Sequence, residues 1–130
     1  MTWGAAGSAE NVDFKGVYPY KADAVDDGIY SFTLATGEGA SLSDNDVMYS
    51  SMTDVAVGSN NVNLTFKHKL VKVVMQVYDQ NRKLLPGATV KINNQQTSGT
   101  LNLADGTVTS TGDANATLDF ASNPVVEGQS

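Results

Sequence analysis

The residue best suited to acid–base or metal chemistry is His68, the single histidine of the chain. Its neighbours at two-residue spacing, Phe66 and Leu70, are apolar, so the alternation of a strand would point all three side chains into a core. A zinc site would need further ligands, and the chain has no cysteine and no acid within four residues of His68. The pattern predicts a buried, neutral histidine with a hydrogen-bond partner.

Two loops carry the acids that come closest to a cation site, Asp23, Asp26 and Asp27 in one and Asp44 and Asp46 in the other. Carboxylate oxygens in loops are the ligands that Ca²⁺ prefers. Neither loop has the D-x-[DN]-x-[DN]-G spacing of a calcium-binding loop, and Asp also begins turns without any ion. We therefore expect no metal, with these five carboxylates as the candidates if one binds.

No catalytic motif is visible in the chain. There is no G-x-S-x-G nucleophile elbow, and GEGASL at 37–42 does not match the G-x-G-x-x-G loop of an α/β unit. A Ser-His-Asp set assembled from distant segments is the remaining catalytic alternative. We expect a non-enzymatic protein with no catalytic residues and no cofactor.

Composition predicts a single β-rich domain. The 130 residues are 41% hydrophobic and only 17% charged, and Gly, Asn, Ser, Thr and Asp are abundant. The net charge of −6, without a basic cluster beyond Lys67, Lys69 and Lys72, argues against nucleic acid as a partner. No apolar run approaches the ~20 residues that span a bilayer. Residues 1–13 lack the pattern of a signal peptide, so the chain is either not exported or has lost its signal.

Short strands follow from period-two alternation, at 12–16, 30–34, 62–77, 88–92, 101–103, 107–110 and 116–120. Residues 47–58 fit either a helical turn or an extended piece. The apolar residues change parity near residue 70, which predicts one bent strand at the corner of a sandwich. We expect an all-β sandwich of seven to eight strands over 12–120, a flexible segment at 1–11 and a tail or linker at 121–130. The expected core is Phe14, Tyr30, Phe32, Leu64, Phe66, Val73, Met75, Val90, Ile92, Leu118 and Phe120.

Six phrases, in order, carry a resemblance to a known family: VDFKGVYPY, IYSFTL, SDNDVMYSS, VNLTFKHKLVKVVMQV, LLPGATVKINN and SGTLNLADG. Together they resemble the fimbrillin-like family of Bacteroidetes surface proteins, over about residues 10–110. The most distinctive phrase is an F-x-H-x-L-x-K-V strand, in which His68 is the histidine. The resemblance begins partway into the family's N-terminal domain and does not include its second domain.

This resemblance implies a transthyretin-like, Greek-key β-sandwich in which His68 is structural. It implies a pilus subunit or adhesin at the cell surface or outer membrane, held by a lipid anchor of the precursor. The implied partners are neighbouring pilus subunits, which exchange β-strands, together with ligands on host or bacterial surfaces. An open sheet edge would also allow a dimer.

Two alternatives remain. The stretch VYDQNRKLLPGATVKINNQQTSGTLNLADG resembles carboxypeptidase-regulatory, transthyretin-like accessory domains, although it covers only about a quarter of the chain. A calcium- or glycan-binding sandwich module is the other alternative. That module would require the loops at 23–27 and 44–46 to converge in space.

Overall fold

The computed structural model describes residues 11–36, 43–58, 61–73 and 75–120. Over these residues the protein is all-β and has no helix, as predicted. The strands are β1 (Val12–Tyr18), β2 (Val25–Asp26), β3 (Ile29–Thr33), β4 (Met48–Val55), β5 (Lys67–His68), β6 (Val90–Gln95), β7 (Ser98–Asn102), β8 (Val108–Thr111) and β9 (Ala116–Phe120). Except for Asn11, the predicted flexible segment and the predicted tail lie outside the described residues.

The strands form three sheets, in the orders β1-β4-β5, β2-β3-β7-β8 and β6-β9. β1 and β4 are antiparallel, with Gly16 opposite Ser50, and a β-bulge interrupts their register next to Asp13. β6 and β9 are also antiparallel, with Ile92 opposite Leu118. This arrangement agrees with a β-sandwich, whereas the transthyretin-like order of strands stays a prediction.

The described residues fall into two compact units. The first unit comprises 11–32, 46–58, 61–70 and 100–109, and the second comprises 33–36, 43–45, 71–73, 75–99 and 110–120. The chain passes from the first to the second unit between Leu70 and Val71, where the apolar residues change parity. The parity change therefore coincides with a passage between units.

The long strand predicted at 62–77 is wrong in extent. Within its described residues only Lys67 and His68 form a strand, opposite Met48 and Tyr49 of β4. Alternation of apolar residues favours a strand only where a partner supplies backbone hydrogen bonds along its length. β4 supplies that ladder to β5 for two residues.

The ambiguous stretch at 47–58 contains β4, an eight-residue strand. Its alternation is hard to see because hydroxyl and acidic side chains occupy several of its positions. β4 is nevertheless the central strand of its sheet, with β1 on one side and β5 on the other. Pairing on both edges, which no local pattern reports, explains why this segment is extended.

The core of the first unit is small and well covered. Leu101 and Tyr30 are 0% and 1% exposed, and the other buried apolar residues are Phe32, Val47, Tyr49 and Val55. The Tyr49 hydroxyl donates a hydrogen bond to the carbonyl oxygen of Leu103, 2.8 Å away. The Tyr49 ring lies against Gly106, where a Cβ would come within 2.6 Å of Cε1 and where φ is +76°. Tyr49 thus connects the β1-β4-β5 sheet to the turn between β7 and β8.

The predicted core is confirmed in part. Tyr30 and Phe32 are buried, whereas Phe14, Leu64, Met75, Val90, Ile92 and Leu118 are half-buried. The prediction is wrong for Phe66 and Val73, which are 40% and 52% exposed, and the side chain of Phe120 is not described. Parity assigns a residue to a face of a sheet, but another part of the fold must cover that face before the residue is buried.

Candidate assembly edge

His68 lies at the end of β5 and points into solvent, with 68% of its side chain exposed. Its Nδ1 is 2.7 Å from Oδ1 of Asp46, the residue two before β4. The predicted hydrogen-bond partner is therefore present, but the predicted burial is wrong. β5 is only two residues long, so the parity of His68 within a strand does not imply that its face is covered.

A carboxylate that orients an imidazole is one part of a hydrolytic site. Catalysis would also need a nucleophile and oxyanion donors in a site that excludes water. His68 is largely surrounded by water, which weakens electrostatic stabilisation of a transition state. The geometry gives the pair a simpler structural role, since it ties the start of β4 to β5 alongside the hydrogen bond from the Lys69 amide to the Val47 carbonyl.

The candidate metal ligands belong to both units. Asp23, Asp26 and Asp27 are exposed around the β2–β3 hairpin of the first unit, and Asp46 is paired with His68. Asp44 belongs to the second unit. In the part of the chain that the structure describes, no three His, Cys, Asp or Glu side chains are grouped so as to hold a metal ion. The expected absence of a metal stays a prediction, and calcium binding stays the alternative to it.

A side-chain contact fixes the segment before β5 to the sheet. The ring of Phe66 lies over Gly16 of β1, so that a Cβ on this glycine would be 2.8 Å from the Phe66 Cζ and 3.7 Å from Leu64 Cδ1. The β4 partner of Gly16 is Ser50, another small residue, which is buried. Two small residues on adjacent strands thus leave room for a large aromatic ring.

The β6–β9 sheet has a different character from the sheets of the first unit. It has two strands, and within the described residues no third strand pairs with either of them. One face carries Val90, Ile92 and Leu118, all half-buried, and the other carries the exposed ion pair of Lys91 and Asp119, at 3.1 Å. A two-stranded sheet is only marginally stable by itself and gains most from a further strand. We call its outer backbone edges the assembly edge.

The segment that follows the passage into the second unit at Val71 also exposes apolar side chains. Val71 is 89% exposed and Val73 is about half exposed, although both belong to an alternating series that reads as strand. None of the described residues of 71–76 belongs to a strand. Sequence reasoning missed the exposure of this segment, because alternation shows that a segment can pair with a neighbouring strand and not whether it does so.

A family model described as fimbrillin-like matches residues 6–128 of the chain. The chain belongs to the fimbrillin-like family. The resemblance inferred from the sequence phrases is therefore confirmed, over a longer stretch than those phrases cover.

A solved structure similar to this fimbrillin-like chain is that of a "putative cell adhesion protein" from Bacteroides uniformis ATCC 8492. The two chains are 28% identical with a TM-score of 0.70, over 87% of this chain and 46% of that chain. This fimbrillin-like chain thus spans less than half the length of that protein. No curated protein matches it.

The family and this structural similarity support a surface protein of the pilus or adhesion type. The fimbrillin-like family and the cell adhesion protein are kinds of protein without enzymatic activity. The described residues contain no helix of the length and apolarity that a membrane span requires.

Proposed function

We propose that this chain is a non-enzymatic structural subunit of a pilus or adhesin, which joins its neighbours by β-strand addition at the assembly edge. The observation that carries the proposal is the two-stranded β6–β9 sheet, whose outer edges have no partner strand among the described residues. An extended segment from a neighbour would complete its backbone hydrogen bonds, and alternate side chains would set the register. In this proposal residues 12–120 act as one assembling domain at the cell surface, anchored through a lipid on the precursor.

The apolar side chains of the second unit support the same proposal. Ile92 and Leu118 are half-buried on one face, so an added strand with apolar residues at alternate positions would extend that face. Burial of apolar area stabilises association by about 25 cal/mol per Å² before the cost of ordering the partner. A donor with four or five alternating apolar residues would therefore bind through both its backbone and its side chains.

Light scattering of the purified chain over a concentration series tests assembly, and hydrogen exchange locates it. We expect assemblies at high concentration in which the amides of β6 and β9 exchange more slowly than in the monomer. The amides of β1 and β4 serve as an internal reference and should not change. Assemblies that leave exchange in β6 and β9 unaltered would contradict strand addition at this edge.

A pair of lysine variants gives a matched control. Thr117 of β9 and Thr109 of β8 are both exposed threonines on strands at the edge of a sheet. Lysine on an edge strand opposes pairing with another strand. Thr117→Lys should therefore reduce assembly, whereas Thr109→Lys should not. A chain that stays monomeric throughout, and melts at a higher temperature with millimolar Ca²⁺, would instead favour the ligand-binding alternative.

A further inference from the structure

A cluster of exposed aromatic and acidic side chains surrounds the β2–β3 hairpin. Tyr20 is 86% exposed, and Tyr18 and Val25 are each exposed to nearly half of their surface. The carboxylates of this stretch are Asp23, Asp26 and Asp27, all exposed. We call residues 18–27 the acidic tyrosine surface. Apolar groups of this size that remain in solvent, with charges around them, are typical of an interaction site.

The acidic tyrosine surface is held in place by the core beneath it. The hydroxyl of buried Tyr30 donates a hydrogen bond to the Pro19 carbonyl, 2.8 Å away. Val25 is the direct cross-strand partner of Tyr30. A partner therefore meets a surface that is already ordered, which lowers the entropy lost on binding.

A second exposed surface in the same chain has the complementary character. Residues 77–85, which we call the basic hairpin, present Tyr78 and Leu85 to solvent together with Arg82 and Lys83. The backbone amide of Asp79 donates to the Lys83 carbonyl at 2.8 Å. The Asp79 carboxylate in turn accepts the Lys83 amide at 2.9 Å and the Asn81 amide at 2.7 Å. The turn is thus internally fixed, with its two cationic side chains exposed.

The two surfaces carry opposite net charge. The acidic tyrosine surface has three carboxylates against the single ammonium group of Lys21, and the basic hairpin has two cations against Asp79. The ion pairs of the described residues are His68 with Asp46 and Lys91 with Asp119, and neither involves these surfaces. Each surface therefore has the aromatic and aliphatic groups, and the opposite charge, that the other would bind.

We propose that the acidic tyrosine surface of one copy docks on the basic hairpin of a second copy. Arg82 and Lys83 would meet the carboxylates and the faces of the exposed tyrosine rings, where cation–π attraction adds to ion pairing. The two surfaces are different, so the contact is heterologous and propagates from copy to copy. The inference extends the proposed function by adding a side-chain contact between subunits, and it does not require strand addition.

Exposed ion pairs are individually weak and are screened by salt, so the contact should be salt-dependent and should mainly guide subunits together. Strand addition relies on backbone hydrogen bonds and apolar burial, which salt affects much less. The two modes of association are therefore separable by ionic strength. Self-association that persists at 0.5 M NaCl reports strand addition, and the additional association at 20 mM NaCl reports the proposed contact.

Charge-swap variants test the contact. Asp23, Asp27 and Arg82 have φ of +59°, +44° and +62°, a region that asparagine tolerates, so these positions are neutralised by asparagine. The acidic-surface variant is Asp23→Asn, Asp26→Lys and Asp27→Asn. The hairpin variant is Arg82→Asn and Lys83→Glu. Control variants that change the charge in the same direction at exposed residues elsewhere, by two units each, are Asp113→Lys and Lys72→Glu.

Sedimentation velocity at 20 mM NaCl should show that each swap variant alone associates about tenfold more weakly than the parent chain. A mixture of the two variants should regain association, because the reversed surface of one variant matches the reversed surface of the other, and their two unchanged surfaces also match. The controls should behave like the parent. A mixture that associates no better than either variant alone would overturn the proposal, as would parent association at 20 mM NaCl equal to that at 0.5 M NaCl.

Discussion

The two units of the chain differ in how completely they bury their apolar residues. Every buried apolar side chain described, from Tyr30 to Leu101, belongs to the first unit. In the described part of the second unit only Gly99 is buried, whereas Val71, Val73 and Tyr78 are exposed. Both units are built from antiparallel strands, so the difference lies in what covers the strands and not in the type of element.

The comparison teaches that, over the described residues, the first unit covers its apolar side chains more fully than the second does. In the first unit a three-stranded sheet is joined to a turn of the neighbouring sheet by the buried Tyr49. The β6–β9 sheet of the second unit has two strands among the described residues, and its apolar positions are half-buried. A unit of this kind gains stability from an added strand, which is the physical reason for placing assembly there.

The largest expected effect lies in the first unit, at Leu101. This side chain is fully buried, so Leu101→Ala leaves a cavity and should lower the free energy of unfolding by about 2–5 kcal/mol. Urea denaturation measures the loss, and Val71→Ala is the matched control because Val71 is almost fully exposed. A loss at Leu101 no larger than that at Val71 would mean that the first unit is not the stable one.

The sequence predicted those strands in which apolar residues alternate clearly and pair along their length. β1, β3 and β9 lie where the alternation of Phe14, Tyr30 with Phe32, and Leu118 placed them. The turn at Leu85, Pro86 and Gly87 is also confirmed, with φ of +77° at the glycine. In these places local preference and tertiary structure agree, so the sequence alone is sufficient to predict the strands and the turn.

The predictions that failed depend on non-local pairing. β4 is rich in hydroxyl side chains and is extended because β1 and β5 lie on either side of it. His68 has the parity of a core residue and is nevertheless exposed, because the described elements leave most of its side chain in solvent. The assembly edge could not be predicted for the same reason, since the order of strands in a sheet is set by contacts between distant segments.

A smaller effect is expected from Gly16→Ala, which tests whether Phe66 fixes its segment to the first unit. The added Cβ would approach Phe66 Cζ to 2.8 Å, so the ring must shift, and overpacking of this kind costs about 1–3 kcal/mol. Phe66→Ala should also destabilise, by about 1–2 kcal/mol, because the ring is only partly buried. The two changes together should cost less than their sum, since the truncated side chain no longer meets the new methyl group. Strict additivity in denaturation experiments would show that the ring does not lie over Gly16.

For the second unit, Ile92→Ala should cost about 1 kcal/mol in the monomer, which is less than a fully buried isoleucine would lose. The same change should weaken concentration-dependent assembly severalfold, because Ile92 lies on the face that an added strand would extend. Thermal melts at two protein concentrations separate these effects, since assembly raises the melting temperature only where it occurs. Thr89→Ala is a control because Thr89 directly precedes the same strand and its side chain is exposed. Equal losses of assembly for both variants would show that the apolar face of the β6–β9 sheet does not contribute to assembly.

The smallest effect is expected at Asp105, in the turn between β7 and β8 that contacts the Tyr49 ring. The hydrogen bonds from Thr107 hold the pKa of the Asp105 carboxyl below its ordinary value, with a smaller contribution from the charge of Lys69. Because the carboxyl has a lower pKa in the folded state than in the unfolded state, its ionised form stabilises the fold at pH values above the unfolded pKa, which is about 4. This stabilisation is lost as the pH falls through the folded pKa. Asp105→Asn keeps an oxygen that can accept the Thr107 amide and removes the charge. The melting temperature of the variant should therefore lie slightly below that of the parent at pH 7 and approach it at pH 2. A constant difference between the two proteins across this range would show that the carboxylate charge does not stabilise the turn, and that the hydrogen-bond geometry alone does.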